Sequence, residues 1–87
     1  MQKKKTRAEI AAQPYQSKSD IQHLLLVSWN TATRIYQKAN ELDDKELKYR
    51  IMDNRVRTSS VMKVTGLSYN MIEKQIRGES HENSNEN

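Results

Sequence analysis

The sequence SDIQHLLLVSWNTATRIYQKANEL, residues 19–42, contains two amphipathic helical patterns that meet at Ser28. The first pattern consists of aliphatic residues at helical spacing: Ile21, Leu24 and Leu25. The second places apolar side chains on one helical face: Ala32, Ile35, Tyr36, Ala39 and Leu42. Because a serine side chain can accept a hydrogen bond from a free backbone N–H, Ser28 is a good N-cap for the second helix. The stretch therefore predicts two helices joined by a tight turn.

The turn between these helices contains Leu26 and Val27. Val27 has the apolar side chain that is needed to fill the corner between two helices. This arrangement indicates a helix-turn-helix, whose second helix lies in the DNA major groove. The position of Leu26 is often glycine, because the backbone there needs a positive φ. Leu26 must therefore either change the conformation of the turn or tolerate strain.

The composition limits the chain to one small domain. With 87 residues, 34% of them hydrophobic and 30% charged, a stable core needs nearly every apolar side chain. The absence of Cys excludes disulfides and cysteine-ligated zinc, and we expect a cytosolic protein. No apolar run approaches the length of a membrane span, so we expect no membrane partner. A net charge of +4 favours a polyanionic partner.

Both ends of the chain are predicted to lie outside the folded domain, which we expect to span residues 17–78. Residues 1–16 read as a flexible basic arm, because Pro14 interrupts any helix begun at Thr6. The arm is either solvated or in contact with phosphates through its cations: Lys3, Lys4, Lys5 and Arg7. Residues 79–87 have no aliphatic side chain and three Glu, so we expect a disordered tail.

Residues 48–57, KYRIMDNRVR, alternate with a period of two and contain Asp53-Asn54 as a candidate turn. The pattern predicts a short β-hairpin, although the good helix formers in residues 45–48 leave a longer second helix as an alternative. Four cations lie on this hairpin, which would form a wing that straddles DNA phosphates: Lys48, Arg50, Arg55 and Arg57. Alternatively, their charges only protect the strand edges from aggregation.

A further helical unit follows in residues 58–78. Thr58, Ser59 or Ser60 can cap a helix that ends before Gly66, and Ser68 can cap the next helix. Residues 21–36 and 61–76 align without gaps, and the alignment matches VSWN with LSYN. The similarity indicates two helix-turn-helix corners, which can also arise independently. Residues 68–78 are thus either a second DNA-reading helix or a partner-binding helix.

The second helix of the first unit carries the candidate binding residues. Five polar side chains lie on or beside the face opposite its apolar stripe: Asn30, Thr33, Arg34, Gln37 and Lys38. Arginine pairs with two acceptors of guanine, asparagine and glutamine pair with adenine, and a threonine methyl contacts thymine. We therefore predict that these five side chains read bases, with Asn30, Thr33 and Arg34 reaching deepest. The alternative is an ordinary solvated face.

The sequence contains no pattern that favours catalysis. His23 and His81 have no second His at metal-ligand spacing, and there is no Cys. Asp43 and Asp44 are adjacent and are interpreted as part of a solvated loop. The two glycines form no phosphate-binding loop. We expect no enzymatic activity, no metal and no cofactor.

Several short motifs resemble the small excisionases of Gram-positive conjugative elements and phages. The similar residues span roughly 17–67: SKSDI at 17–21, Ala32, Ile35, Ala39, Tyr49, Asn54-Arg55-Val56, Val61 and Gly66-Leu67. The resemblance implies a winged helix-turn-helix that binds DNA architecturally and either assists an integrase or represses a promoter.

We therefore expect a mainly α-helical, winged helix-turn-helix fold with three to four short helices and a short β-hairpin. The expected function is sequence-specific binding of double-stranded DNA by a mobile-element protein, as an excisionase-like recombination factor or a small transcriptional regulator. An integrase or recombinase, or a second copy of the chain on DNA, are the further partners. The alternative is a protein–protein interaction module, in which the helix pair docks on another protein without contacting DNA.

Overall fold

The structure, a computed structural model, describes residues 5–84, with side chains described through residue 78. The elements in chain order are α1 (Arg7–Ala11), β1 (Tyr15–Gln16), α2 (Lys18–Leu25), α3 (Trp29–Glu46), β2 (Val56–Arg57), α4 (Thr58–Thr65) and α5 (Tyr69–Ser84). The described part of the chain is thus mainly helical with one small antiparallel sheet. It has five helices, where the sequence predicted three or four.

The starts of the first three helices follow from capping residues. Thr6 and Glu9 form a capping box at α1, and Ser17 and Asp20 form another at α2. The N-cap of α2 is thus Ser17. Ser28 caps α3 as predicted, because its Oγ accepts a hydrogen bond from the backbone N–H of Thr31 at 3.2 Å.

Helix α3 is the centre of the fold, since it packs against both α2 and α4. The predicted apolar face is confirmed at Ala32 and Ala39, which are completely buried. Nine apolar residues form the core: Ile10, Ile21, Leu24, Ala32, Ala39, Val56, Val61, Met62 and Ile72. They come from every helix and from β2, so one core joins the whole described chain.

Residues 7–16 are folded, which corrects the prediction of a flexible arm over residues 1–16 for this part of the segment, and residues 1–4 lie outside the described residues. Ile10 of α1 is 2% exposed and belongs to the core. Helix α1 ends at Ala11, before Pro14, and the carbonyl of Pro14 accepts a hydrogen bond from the N–H of Thr58 at 2.9 Å. The segment between α1 and α2 is therefore attached to the start of α4.

The predicted hairpin over residues 48–57 is wrong. Only residues 56 and 57 form a strand there, and it pairs with β1, with Gln16 opposite Val56 and Tyr15 opposite Arg57. A type I′ turn at Asp53-Asn54 needs positive φ at both residues, and among the described residues Leu26 is the only non-glycine with a positive φ. Residues 47–55 instead form an irregular loop. The alternative of a longer helix is also wrong beyond Glu46.

The C-terminal helix is longer than the sequence indicated. Helix α5 continues past Gly78 to Ser84, although residues 79–87 were predicted to be disordered. A single glycine inside a helix costs only about 1 kcal/mol and need not end it. Residues 85–87 of the predicted tail lie outside the described residues. No described helix is long and apolar enough to cross a membrane.

Candidate nucleic-acid interface

A tight turn with one left-handed residue joins α2 to α3. Leu26 adopts the left-handed conformation, with φ 56° and ψ 47°, and its N–H donates to the carbonyl of Gln22. The turn therefore keeps the shape that a glycine would favour, and Leu26 tolerates the strain. Ile21, Leu24 and Ala32 are completely buried where the two helices meet. The corner is thus closed by apolar packing, which fixes the direction of α3.

The five predicted base-reading residues lie on the outer face of α3. Asn30, Arg34, Gln37 and Lys38 are exposed and Thr33 is half-buried, which matches the arrangement expected from helical periodicity. Within the described residues, none of these five side chains makes a hydrogen bond or an ion pair. Their polar groups therefore point to solvent and are free to bind a ligand.

Helix α3 also carries a second feature that the sequence analysis did not predict. Lys45 lies eleven residues after Arg34, which puts the two within about 20° on the helix surface. Arg34, Lys38 and Lys45 are all exposed, and none of them has an ion-pair partner among the described residues. They form a cationic stripe (Arg34, Lys38 and Lys45) along about 16 Å of helix, with the exposed Glu41 between Lys38 and Lys45. A stripe of this kind fits the backbone of a nucleic acid.

The predicted wing cations have a different role, as Arg50 shows. Its Nη1 donates to Asn40 Oδ1 at 2.6 Å and to Asp44 Oδ1 at 2.8 Å, and its Nη2 donates to the carbonyls of Met52 and Arg55. Asp44 is the main reason why the pKa of Arg50 is raised. Arg50 therefore holds residues 47–55 against α3, and its guanidinium is not available for phosphate binding.

Arg57 is also a structural residue. Its N–H donates to Asp43 Oδ2 at 2.9 Å, its Nε to Asp43 Oδ1 at 2.8 Å, and its Nη2 to Glu46 Oε1 at 2.5 Å. The hydrogen bond that the Arg57 side chain donates to Asp43 is the main cause of the raised pKa of Arg57. Because both carboxylates belong to α3, Arg57 joins the start of α4 to this helix.

Asp43 is the acidic residue whose role the sequence analysis missed. It is 1% exposed, whereas it was interpreted as part of a solvated loop. Burial alone would raise the pKa of Asp43, but hydrogen bonds from Ser60 and Arg57 outweigh it and hold the pKa below its ordinary value. The signal was present in the sequence, since Asp43 continues the buried face of Ala32 and Ala39 at helical spacing.

The two remaining wing cations are more accessible. Arg55 lies 3.6 Å from Asp20 Oδ2 and keeps 37% of its side chain exposed. Lys48 is exposed and has no hydrogen bond or ion pair to any described residue. Of the four predicted wing cations, Lys48 therefore retains an unrestricted charge and Arg55 a partly restricted one.

Of the four cations in the predicted basic arm, two lie in the described part of the chain and make contacts there. Lys3 and Lys4 lie outside the described residues. Lys5 donates to Gln13 Oε1 at 2.6 Å and lies 3.5 Å from Asp20 Oδ1. Arg7 donates to the carbonyl of Leu24 at 2.8 Å and to Gln75 Oε1 at 3.1 Å. Arg7 thus supports the end of α2, next to the turn between α2 and α3, and connects α2 to α5.

Asp20 is the acidic centre of this N-terminal region. Burial would raise its pKa, but hydrogen bonds from the Ser17 N–H and the Gln13 side chain, together with the charge of Lys5, lower the pKa below its ordinary value.

Among residues 5–84 there is no group of three or more His, Cys, Asp or Glu side chains that could hold a metal.

Comparisons of the chain with protein-family models, with curated proteins and with solved structures give no match. The described cations fall into two groups, according to whether they bind acceptors within the fold. Arg7, Arg50 and Arg57 bind acceptors that hold the fold together. The cationic stripe on α3 binds none in the described chain, and it adjoins the polar side chains of Asn30 and Gln37.

Proposed function

We propose that the chain is a sequence-specific DNA-binding protein whose helix α3 lies in the major groove. The observation that carries the proposal is the outer face of α3, where Asn30, Arg34 and Gln37 are exposed and unpaired within the described residues. These are side-chain types that pair with base edges in the major groove. The buried α2–α3 corner supports the proposal, because it presents this face in a fixed direction.

The two lysines of the cationic stripe supply the sequence-independent part of the binding. Lys38 and Lys45 lie beside a groove between α3 and α4, and Lys63 lies on the opposite wall. Lys63 is held by Glu46 at 3.2 Å, whereas the two α3 lysines have no described partner. Neutralising DNA phosphates by lysines releases counterions, so we expect affinity to fall steeply with salt.

We further propose that residues 47–55 act as the wing of a winged helix-turn-helix, in the form of a loop held by Arg50. Lys48 and Arg55 are the cations that this loop offers to phosphates. The resemblance to small excisionases supports a role on mobile-element DNA, as an excisionase-like recombination factor or a small transcriptional regulator. An integrase or a second copy of the chain would be the partner on that DNA.

A second candidate function is protein binding, which the exposed apolar residues of the same loop favour. Tyr49 is 81% exposed and Ile51 is 75% exposed. In an isolated domain, large apolar side chains at this exposure are often part of an interaction surface. This function predicts binding that depends on Tyr49 and Ile51 and changes little with salt.

The two functions are distinguished by selecting DNA from a random pool with the full chain and titrating the selected duplex at several salt concentrations. DNA binding by α3 predicts an enriched sequence and a linear fall of log affinity with log salt, because several phosphates are contacted. No enrichment, and no binding even at low salt, would reject the proposed function. The double variant Tyr49→Ala/Ile51→Ala serves as the control and should keep DNA binding.

A further inference from the structure

The helix-turn-helix corner occurs twice in the chain, with the same local geometry forty residues apart. Leu26 and Gly66 both adopt positive φ, at 56° and 76°, and their N–H groups donate to residues 22 and 62. Ser28 and Ser68 then accept hydrogen bonds from Thr31 and Met71, each at 3.2 Å. Ala32 and Ile72 occupy the same position after these serines and are both buried. The similarity noted in the sequence is therefore a repeat of structure.

The two strands show how the repeats are related. Gln16 precedes α2 and Val56 precedes α4, again with a spacing of forty residues, and they are paired directly in the antiparallel sheet. When equivalent residues of two units pair with each other in antiparallel strands, an approximate two-fold axis passes between them. The two-fold relation holds for the strands and for the two turns, but not for the packing of the long helices, since α3 packs against both α2 and α4 whereas α5 packs against α1.

The repeat extends to the exposed chemistry of the two long helices. Asn70 and Lys74 of α5 correspond to Asn30 and Arg34 of α3, and all four are exposed. By helical geometry Asn30 and Arg34 lie about 160° around the helix from the buried Ala32. Asn70 and Lys74 lie about 160° from the buried Ile72 in the same way. Trp29 and Tyr69, at the start of the two helices, are each 50% exposed. Helix α5 therefore carries an amide, Asn70, and a cation, Lys74, at the positions where α3 carries Asn30 and Arg34.

The two helices differ in their surroundings and in one position of the face. Helix α5 packs against α1, and Arg7 joins them through Gln75. Glu73 stands where α3 has Thr33, and its Oε1 lies 3.4 Å from Arg77. A carboxylate accepts from cytosine N4, whereas a threonine methyl contacts thymine. The two faces are thus related in chemistry but suited to different bases.

We infer that α5 is a second DNA-reading helix, so that one chain binds two related half-sites in inverted orientation. This inference rests on the proposed function of α3. Two-fold helix-turn-helix dimers bind half-sites about 34 Å, or one DNA turn, apart. One chain would therefore bind both half-sites, as a dimer does when each subunit has a single helix-turn-helix.

The test combines stoichiometry with footprinting of two matched double variants on the selected duplex. Native mass spectrometry should find one chain per duplex, and hydroxyl-radical footprinting should show two protected half-sites. Asn30→Ala/Arg34→Ala should lose protection at one half-site, and Asn70→Ala/Lys74→Ala at the other, with an affinity loss of about tenfold or more for each. Thermal melting checks that these exposed substitutions leave the fold intact, and Lys74→Gln repeats the test with a smaller change.

The outcomes separate this inference from the proposed function. If the wild-type chain selects and binds no DNA, both fail. If the wild-type chain binds and the α3 variant loses binding, while the α5 variants bind with unchanged affinity and footprint, the second reading helix is rejected and the function of α3 stands. Two chains on one duplex, each protecting a single half-site, would also overturn the inference.

Discussion

Arg57 binds Asp43 through both its backbone N–H and its Nε, at 2.9 and 2.8 Å. The hydroxyl of Ser60 donates to the same carboxylate. Arg57 and Ser60 belong to the start of α4, where the N-cap residue makes no side-chain capping hydrogen bond, so the carboxylate of Asp43 fixes this end of α4 to α3. This contact connects the helix with the exposed polar face to the second half of the domain.

The first prediction follows from this carboxylate. Asp43→Asn should lower the free energy of unfolding at neutral pH by about 1–3 kcal/mol, because Arg57 and Ser60 lose a charged acceptor. The folded-state pKa of Asp43 lies below its ordinary value, so the contribution of Asp43 to stability is fully present above the ordinary pKa and is lost as pH falls through the folded-state pKa. Denaturant titrations from pH 7 to pH 2 should therefore show a weaker acid dependence in the variant. Asp53→Asn, at an exposed site, is the control, and equal acid dependence in both variants would contradict this role.

The second prediction concerns the N-terminal helix. Ile10→Ala should destabilise the domain by about 2–4 kcal/mol, because it leaves a cavity in the core. Ile51→Ala removes the same atoms from a side chain that is 75% exposed and should change stability by less than about 0.5 kcal/mol. Chemical denaturation of both variants compares them. If both variants unfold like the wild type, α1 is not part of the folded unit.

The third prediction tests the left-handed residues of the two corners. Leu26→Gly should raise the free energy of unfolding by up to about 1 kcal/mol, since glycine adopts φ 56° without strain. Gly66→Ala should lower it by about the same amount, because an added Cβ has open space but the backbone there has φ 76°. Denaturant unfolding should therefore show changes of opposite sign in the free energy of unfolding of the two variants. A loss of stability in Leu26→Gly would mean that the Leu26 side chain contributes more than the backbone strain costs.

The fourth prediction separates structural from available cations in residues 47–55. Arg50→Ala should cost about 1–2 kcal/mol of stability, because it removes hydrogen bonds to Asn40 and Asp44. Lys48→Ala should leave the thermal midpoint unchanged and reduce the salt dependence of DNA binding by about one phosphate contact. Melting curves and salt titrations of both variants are the measurements. An unchanged salt slope in Lys48→Ala would exclude the loop as a phosphate-binding wing.

The sequence predicted the α2–α3 corner well because local signals act there together. The spacing of Ile21 and Leu24, the cap at Ser28 and the apolar stripe of α3 all indicate the same geometry. The exposed face of α3 follows from the same periodicity, so the predicted base-reading set was found at the surface.

The sequence could not predict what depends on contacts between distant residues. The strand at Val56 pairs with Gln16, forty residues away, and no local pattern distinguishes this partner from a hairpin partner. The roles of Arg50 and Arg57 depend in the same way on carboxylates of α3. Charge alone therefore suggested a basic wing, where two of the four cations instead hold the fold together.

The most direct test of α3 as the DNA reader compares Arg34→Ala with Lys45→Ala. Both substitutions remove one unpaired cation from the cationic stripe, and both should leave thermal stability within about 0.5 kcal/mol of the wild type. If Arg34 contacts a guanine edge, Arg34→Ala should lose about 1–3 kcal/mol of affinity on the selected DNA and much less on random DNA.

Lys45→Ala should weaken binding to selected and random DNA by the same factor, because a phosphate contact carries no sequence information. The decisive measurement is therefore the ratio of selected to random affinity for each variant at fixed salt. We predict that this ratio falls about tenfold in Arg34→Ala and stays constant in Lys45→Ala. An unchanged ratio in a folded Arg34→Ala variant would contradict base reading by Arg34 on α3.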